Sequence, residues 1–242
     1  MNYTSIEFKD GAQVASIRLL EEYSTMTMIK ELGLICDYLE DHSSSTILVI
    51  RGTSNCFNRG LNFAEFQADQ PMDIYGFPKW EKLCLRFERM KRVTIAVLEG
   101  AVIGAGFQLA LCMDLRIATP TVQLSLPEVK MGFLPGMAVF RLAKYIGLGH
   151  AKRVVLQGEI LKADKAHDLG IIDIISDDID NALKASIHRF TPINPIAMQL
   201  ARRLLNESFH DSFEDAIGHF LAAQQRAISQ DCFSDTIKKQ QE

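Results

Sequence analysis

Glu99-Gly100-Ala101-Val102-Ile103-Gly104-Ala105-Gly106-Phe107-Gln108-Leu109 is the stretch on which the reading of this chain turns, with Leu124-Ser125-Leu126-Pro127-Glu128 and Gly132-Phe133-Leu134-Pro135-Gly136-Met137 downstream of it. The apolar run 93–98 predicts a strand that ends in small residues, where a helix begins. Small residues let backbone approach a ligand closely, and the first amides of a helix carry partial positive charge. Such a place suits an oxyanion. A carboxylate, Glu128, follows on a Pro-bounded segment. Oxyanion donors together with one carboxylate are what proton transfer beside a thioester carbonyl requires.

Outward from this stretch, apolar or alternating runs at 5–8, 14–19, 47–51 and 115–118 predict further strands, with a short additional one in 171–175. Between them, 28–39 carries Ile29, Leu32, Ile35, Cys36 and Leu39 at helical spacing. Strand alternating with helix favours a mostly parallel α/β sheet. The second half changes character: 137–146, 150–156, 162–169, 179–190, 195–206 and 211–229 read as helices. Pro195 suits a first helical turn, and Ser212 with Asp215 makes a capping-box-like start. Ser176-Asp177-Asp178 marks the expected boundary, with a sheet-bearing core at 1–175 and a helical C-terminal region at 176–242. The closing Lys238-Lys239-Gln240-Gln241-Glu242 reads as a frayed, solvated end.

Composition narrows the class. At 242 residues and 48% hydrophobic, the chain can bury a sizeable core, and no segment approaches the apolar length of a membrane span. Net charge is −4, with no basic stripe, so neither nucleic acid nor a membrane is an expected partner. The N-terminus lacks a basic segment followed by an apolar one, which points to the cytoplasm. Cys36, Cys56, Cys84, Cys112 and Cys232 contain no Cys-x-x-Cys pair and read as free thiols. None of the six histidines forms a ligand-spaced pair, so no metal is expected.

The order Ile103-Gly104-Ala105-Gly106, Cys112-Met113-Asp114, Pro127-Glu128 and Gly132-Phe133-Leu134-Pro135-Gly136 resembles the crotonase superfamily, the enoyl-CoA hydratase/isomerase family. Val49-Ile50-Arg51-Gly52 and Cys56-Phe57-Asn58-Arg59-Gly60-Leu61-Asn62 extend the resemblance upstream. Downstream, Leu156-Gln157-Gly158-Glu159, Ala166 and Gly170 carry it over nearly the whole chain. It implies a ββα spiral core with a C-terminal helical trimerisation region, assembled as a homotrimer or hexamer. The implied substrate is an acyl-CoA or acyl-carrier-protein thioester. CoA or phosphopantetheine then enters as part of the substrate, and no separate cofactor is expected.

Carried over residue by residue, the family's oxyanion-hole amides fall at Leu61 and Ala105, and its catalytic Glu falls at Glu128. Related hydratases hold a second Glu where this chain has Gln108. A neutral amide cannot take a proton, although it can hydrogen-bond water, a substrate hydroxyl or Glu128, or simply satisfy a buried polar network. One retained carboxylate suits shuttling a proton between two carbons, so isomerisation of an enoyl thioester ranks ahead of hydration or dehydration.

Tyr75 and Lys79 occupy a variable segment that often lines the acyl site. A Tyr and a Lys there suit a carboxylate-bearing substrate, as in decarboxylating relatives of polyketide pathways, although Gly76 and Pro78 are expected to prevent a shared helical face. Glu21-Glu22 stands where relatives have a basic residue near the CoA phosphates, with Arg59 as the compensating cation. Gly136-Met137-Ala138 and Ser212-Phe213-Glu214-Asp215-Ala216-Ile217 resemble accessory crotonase proteins of dihydroxyphenylacetyl-CoA and polyketide biosynthesis. This keeps open a catalytically weak partner of another pathway enzyme.

Overall fold

The computed structural model describes residues 3–65 and 76–241. The chain opens with an antiparallel pair, β1 (Ile6–Asp10) and β2 (Val14–Leu19), followed by helix α1 (Met26–Asp41). Thr25 caps α1 by accepting from the Met28 amide, and the helix buries Ile29, Leu32, Ile35, Cys36 and Leu39 along one face, the spacing read from the sequence. A unit of long strand, short strand and helix then recurs. β3 (Ile47–Arg51), β4 (Cys56–Asn58) and α2 (Gly76–Arg89) make the first. β5 (Val93–Leu98), β6 (Ala101–Ile103) and α3 (Ala105–Leu111) make the second, and β7 (Leu115–Ala118), β8 (Gln123–Ser125) and α4 (Ala138–Gln157) the third.

The long strands join one sheet in the order β1-β2-β3-β5-β7-β10, where β10 is Ile174–Ile175, and the pairs from β2 onward are parallel. The short strands join a second sheet, β4-β6-β8-β9, closed by an antiparallel pair with β9 (Leu161–Lys162). Each unit therefore crosses from one sheet to the other before its helix. This is a ββα spiral. α5 (Ala163–Asp168) follows β9, and beyond β10 come α6 (Ile179–Phe190), α7 (Pro195–Glu207), α8 (Phe213–Ile228) and α9 (Asp231–Gln241).

β5 is buried at all its positions because both faces of the first sheet are covered. Leu48, Ile50, Ala96 and Leu98 belong to the main core with α1, α2 and α3. Val49, Ile95 and Val97 pack with Ile179, Leu183 and Ile187 of α6 on the other side. Arg202 of α7 fastens that layer: its Nε donates to Asp114 at 2.6 Å, and its Nη atoms donate to the carbonyls of Phe87, Glu88 and Met90. α8, by contrast, buries none of its residues, leaving Phe213, Ile217, Phe220 and Leu221 exposed.

Two expectations change and one holds. Gly76 and Pro78 do not break a helix, because they occupy the first turn of α2, where a missing N–H has no partner to lose. The two helices expected at 137–146 and 150–156 are the two halves of α4, separated at Gly147, whose backbone (φ 72°, ψ 160°) is not helical. Of the C-terminal residues expected to fray, 238–241 form the last turn of α9. Among the described residues, no helix is long and apolar enough to cross a membrane.

Candidate active site

β4 and β6 are parallel neighbours, so the loops leaving their C-terminal ends emerge side by side. A Cβ built on Gly60 would lie 3.5 Å from the Ala105 nitrogen and 3.7 Å from Gly104 Cα, which places the two loops in contact. The first loop is braced from several sides. Ser24 N–H donates to the Gly60 carbonyl at 2.7 Å, Asn62 N–H to the Ser24 carbonyl at 3.1 Å, and Arg59 N–H to the Glu22 carbonyl at 2.7 Å. Buried Asn58 completes the brace, its Oδ1 accepting from the Gly60 amide and the Ser24 hydroxyl. These bonds bypass the Leu61 amide. Ala105 is the first residue of α3, where a backbone N–H has no acceptor within the helix.

Both residues line a cavity of about 600 Å³, walled by apolar side chains that include Met26, Ile29, Phe77, Trp80 and Leu134. Phe63 and Phe133 also line it and meet edge to face, with ring centroids 5.5 Å apart.

Glu128 enters this cavity from a 3-10 turn, Glu128–Met131, that follows β8 through Leu126 and Pro127. Gly104 makes room for it. With φ 55°, Gly104 turns β6 into α3, and a Cβ there would stand 2.4 Å from Glu128 Oε1. The residue is only 5% exposed, and its Oε2 is buried without a hydrogen-bond partner. Burial therefore pushes the Glu128 carboxyl above its ordinary pKa, partly offset by a bond to its own backbone. The group can hold a proton or give one up without a fixed counter-charge.

Gln108 also lines the cavity, but its amide is committed elsewhere. Nε2 donates at 2.7 Å to Oε1 of Glu81, which projects into the same cavity from α2. Glu81 Oε1 also accepts from the Met137 amide at 2.8 Å, and Oε2 accepts from Arg141 Nη1 at 3.0 Å. Arg141, nearly buried on α4, holds Glu88 in a bidentate pair through Nε and Nη2. Gly136, at φ 51°, lets the chain pass this cluster, since a Cβ would come within 2.6 Å of Glu81 Oε1 and 2.9 Å of Gln108 Oε1. Sequence reasoning missed Glu81. Its one signal was its place just after the segment 70–80, where the acyl wall was expected.

Of the other residues singled out, Arg59 lies on the cavity wall with its Nε donating to Glu22 Oε2 at 2.7 Å. Glu21 accepts from the hydroxyls of Ser5 and Thr25. Lys79 is exposed at the cavity edge, and Tyr75 lies outside the described residues. Cys56 is buried, as are Cys84 and Cys112, which contact Gln108 through its side-chain amide and its carbonyl respectively. Glu207, Asp211 and His219 bring ligand-type atoms within 4.8 Å of one another on the C-terminal helices, but Glu207 is ion-paired to Arg203 and none of the three lines the cavity.

Residues 14–242 match the family model described as enoyl-CoA hydratase/isomerase. An enoyl-CoA-hydratase of Amycolatopsis orientalis is 33% identical over 206 residues, covering 85% of this chain and 91% of that protein. The fold superposes on a solved enoyl-CoA hydratase from Geobacillus kaustophilus with a TM-score of 0.92 at 18% identity, over 99% of this chain and 96% of the other. A Thermobifida fusca protein solved in complex with acetoacetyl-CoA gives 0.84 at 24% identity, over 93% and 95%.

Proposed function

The chain belongs to the enoyl-CoA hydratase/isomerase family, and from that premise we propose that it shifts a proton along an enoyl thioester, with Glu128 as both the base that takes the proton and the acid that returns it. The observation that carries this reading is the Glu128 carboxyl, buried in the cavity beside the start of α3 and without a partner on Oε2. A base raised above the ordinary carboxylate range is better matched to neutral pH in both directions of transfer.

In the proposed reaction the thioester oxygen accepts from the Leu61 and Ala105 amides. Glu128 removes a proton from the α-carbon of a β,γ-enoyl group, and the C–H electrons pass into the thioester carbonyl to make a dienolate, whose negative oxygen the two amides stabilise. Return of the same proton to the γ-carbon moves the double bond into conjugation; the reverse sequence starts at the γ-carbon of the conjugated isomer. Loss of one such donor typically costs about 2.7–4 kcal/mol of barrier. Gln108 carries no proton in this scheme, its amide being held by Glu81. Isomerisation therefore ranks ahead of hydration, dehydration or decarboxylation.

The handle on the acyl group is a pantetheine thioester, on CoA or on a carrier protein. The Glu22–Arg59 pair favours the carrier, because it neutralises the cation that the sequence placed near a CoA phosphate. The assembly proposed is a homotrimer or hexamer built through residues 176–242, supported by the unburied apolar row of α8.

Deuterium uptake from solvent into a 3-enoyl thioester, followed by NMR, tests the mechanism. Glu128→Gln is expected to abolish uptake, and Gln108→Ala to leave most of it. Uptake unaffected by Glu128→Gln would remove Glu128 from the reaction and point to an unrecognised base; no uptake above background in the wild type would favour a non-catalytic partner.

A further inference from the structure

A carboxylate offers about four lone-pair positions. In Glu81 the Gln108 amide, the Met137 backbone amide and Arg141 take three of them, two on Oε1 and one on Oε2. One position on Oε2 remains, on a side chain that is 25% exposed and lines the cavity that holds Glu128 and Ala105. The three donors come from three different elements, α3, the turn before α4, and α4 itself. Such an arrangement fixes a carboxylate in place and leaves it as an acceptor.

We infer that Glu81 is a substrate-binding carboxylate, its remaining Oε2 position accepting the hydroxyl proton of a 3-hydroxyacyl thioester, with Gln108 and Arg141 as its positioning residues. The inference rests on the proposed placement of the thioester oxygen at Leu61 and Ala105. Ala105 and Gln108 stand one turn apart on α3, so their Cβ atoms are separated by about 5–6 Å. A group that reaches the amide of one and the carboxylate held by the other lies close to the carbonyl, which selects the β-carbon over more distant positions of the chain. A second carboxylate thus reaches the cavity from α2, and Gln108 orients it. Met137 contributes only backbone, so its side chain is free to vary.

The selectivity follows from donor and acceptor chemistry. A carboxylate accepts and does not donate, so a 3-hydroxyl is favoured and a 3-oxo group, which only accepts, is not. The experiment compares the binding of 3-hydroxybutanoyl and 3-oxobutanoyl pantetheine by NMR titration, since pantetheine is common to both carriers. The wild-type protein is expected to prefer the hydroxyl compound by about tenfold or more, as for a hydrogen bond to a charged group. Glu81→Gln places an amide N–H₂ at the open position and is expected to cancel or reverse that preference. Glu81→Asp keeps the charge but withdraws it by one methylene, and is expected to bring the two ligands within about threefold of each other. A purely structural role would weaken both ligands alike.

Absence of a hydroxyl preference in the wild type, or its persistence in either folded variant, overturns the assignment. Deuterium uptake at the α-carbon of the 3-hydroxybutanoyl ligand reads Glu128 separately. Uptake lost with the hydroxyl preference intact counts against the proton-transfer reading and leaves Glu81 standing; uptake without that preference does the reverse.

Discussion

Gly104 is the position where one methyl group tests the proposed geometry most directly. Its φ of 55° and ψ of −120° belong to a region that costs a residue with a side chain about 1–3 kcal/mol. The added Cβ of Gly104→Ala would also stand 2.4 Å from Glu128 Oε1, against the 3.4 Å or more of ordinary contact, so the carboxylate or the start of α3 must retreat by about 1 Å. For a chain of this size each kcal/mol moves the melting temperature by about 2–4 °C, giving an expected fall of roughly 2–12 °C. A 1 Å displacement at the reacting centre typically costs about a hundredfold in rate. Thermal unfolding by circular dichroism and the deuterium-uptake rate measure the two effects. Gly33→Ala is the control: Gly33 lies inside α1 with nothing within 4 Å of where the new Cβ would stand, and the substitution should stabilise by about 0.5–1 kcal/mol. A Gly104→Ala protein that melts with the wild type and exchanges within about threefold of its rate would refute the placement of Glu128 against the first turn of α3.

Because burial raises the Glu128 pKa, the fold favours the protonated acid: its contribution to stability is present in full below the ordinary value of 4.5 and is lost as pH rises through the raised value. Glu128→Gln mimics the neutral acid, so its melting temperature should gain on the wild type between pH 4 and neutrality, and a constant difference across that range would contradict a raised pKa. Arg141→Met removes the cation shared by Glu81 and Glu88 and should cost about 3–5 kcal/mol in urea unfolding; a loss under 1 kcal/mol would show that the carboxylates do not depend on it. Sedimentation at micromolar concentration should give a trimer or hexamer, with Phe213→Glu and Leu221→Glu together shifting it towards smaller species. A wild-type monomer would leave the apolar row of α8 unexplained.

The main sheet was legible in the sequence because its strands are alternating or largely apolar, above all the wholly buried 93–98, and such runs announce themselves locally. Glu128 and the start of α3 were legible for the same local reason: Pro127, Gly104 and Ala105 shape the backbone within a few residues of the groups they place. The second sheet was not, since strands of two or three residues such as β6 and β9 are too short to show any periodicity and exist only because a neighbour pairs with them. Nor was Glu81. Its meeting with Gln108 spans 27 positions and depends on α2 bringing Glu81 within reach of α3, and the Gly76 and Pro78 that read as breakers begin that helix. Arg59 read as a free cation, yet Glu22 neutralises it across 37 positions. Spacing along the chain determined which backbone turns and which carboxylate stand at the strand ends, through sterics that act between adjacent residues. Which second carboxylate faces Glu128's cavity, and which charges are spent on one another, was decided only when packing brought distant segments within hydrogen-bond distance.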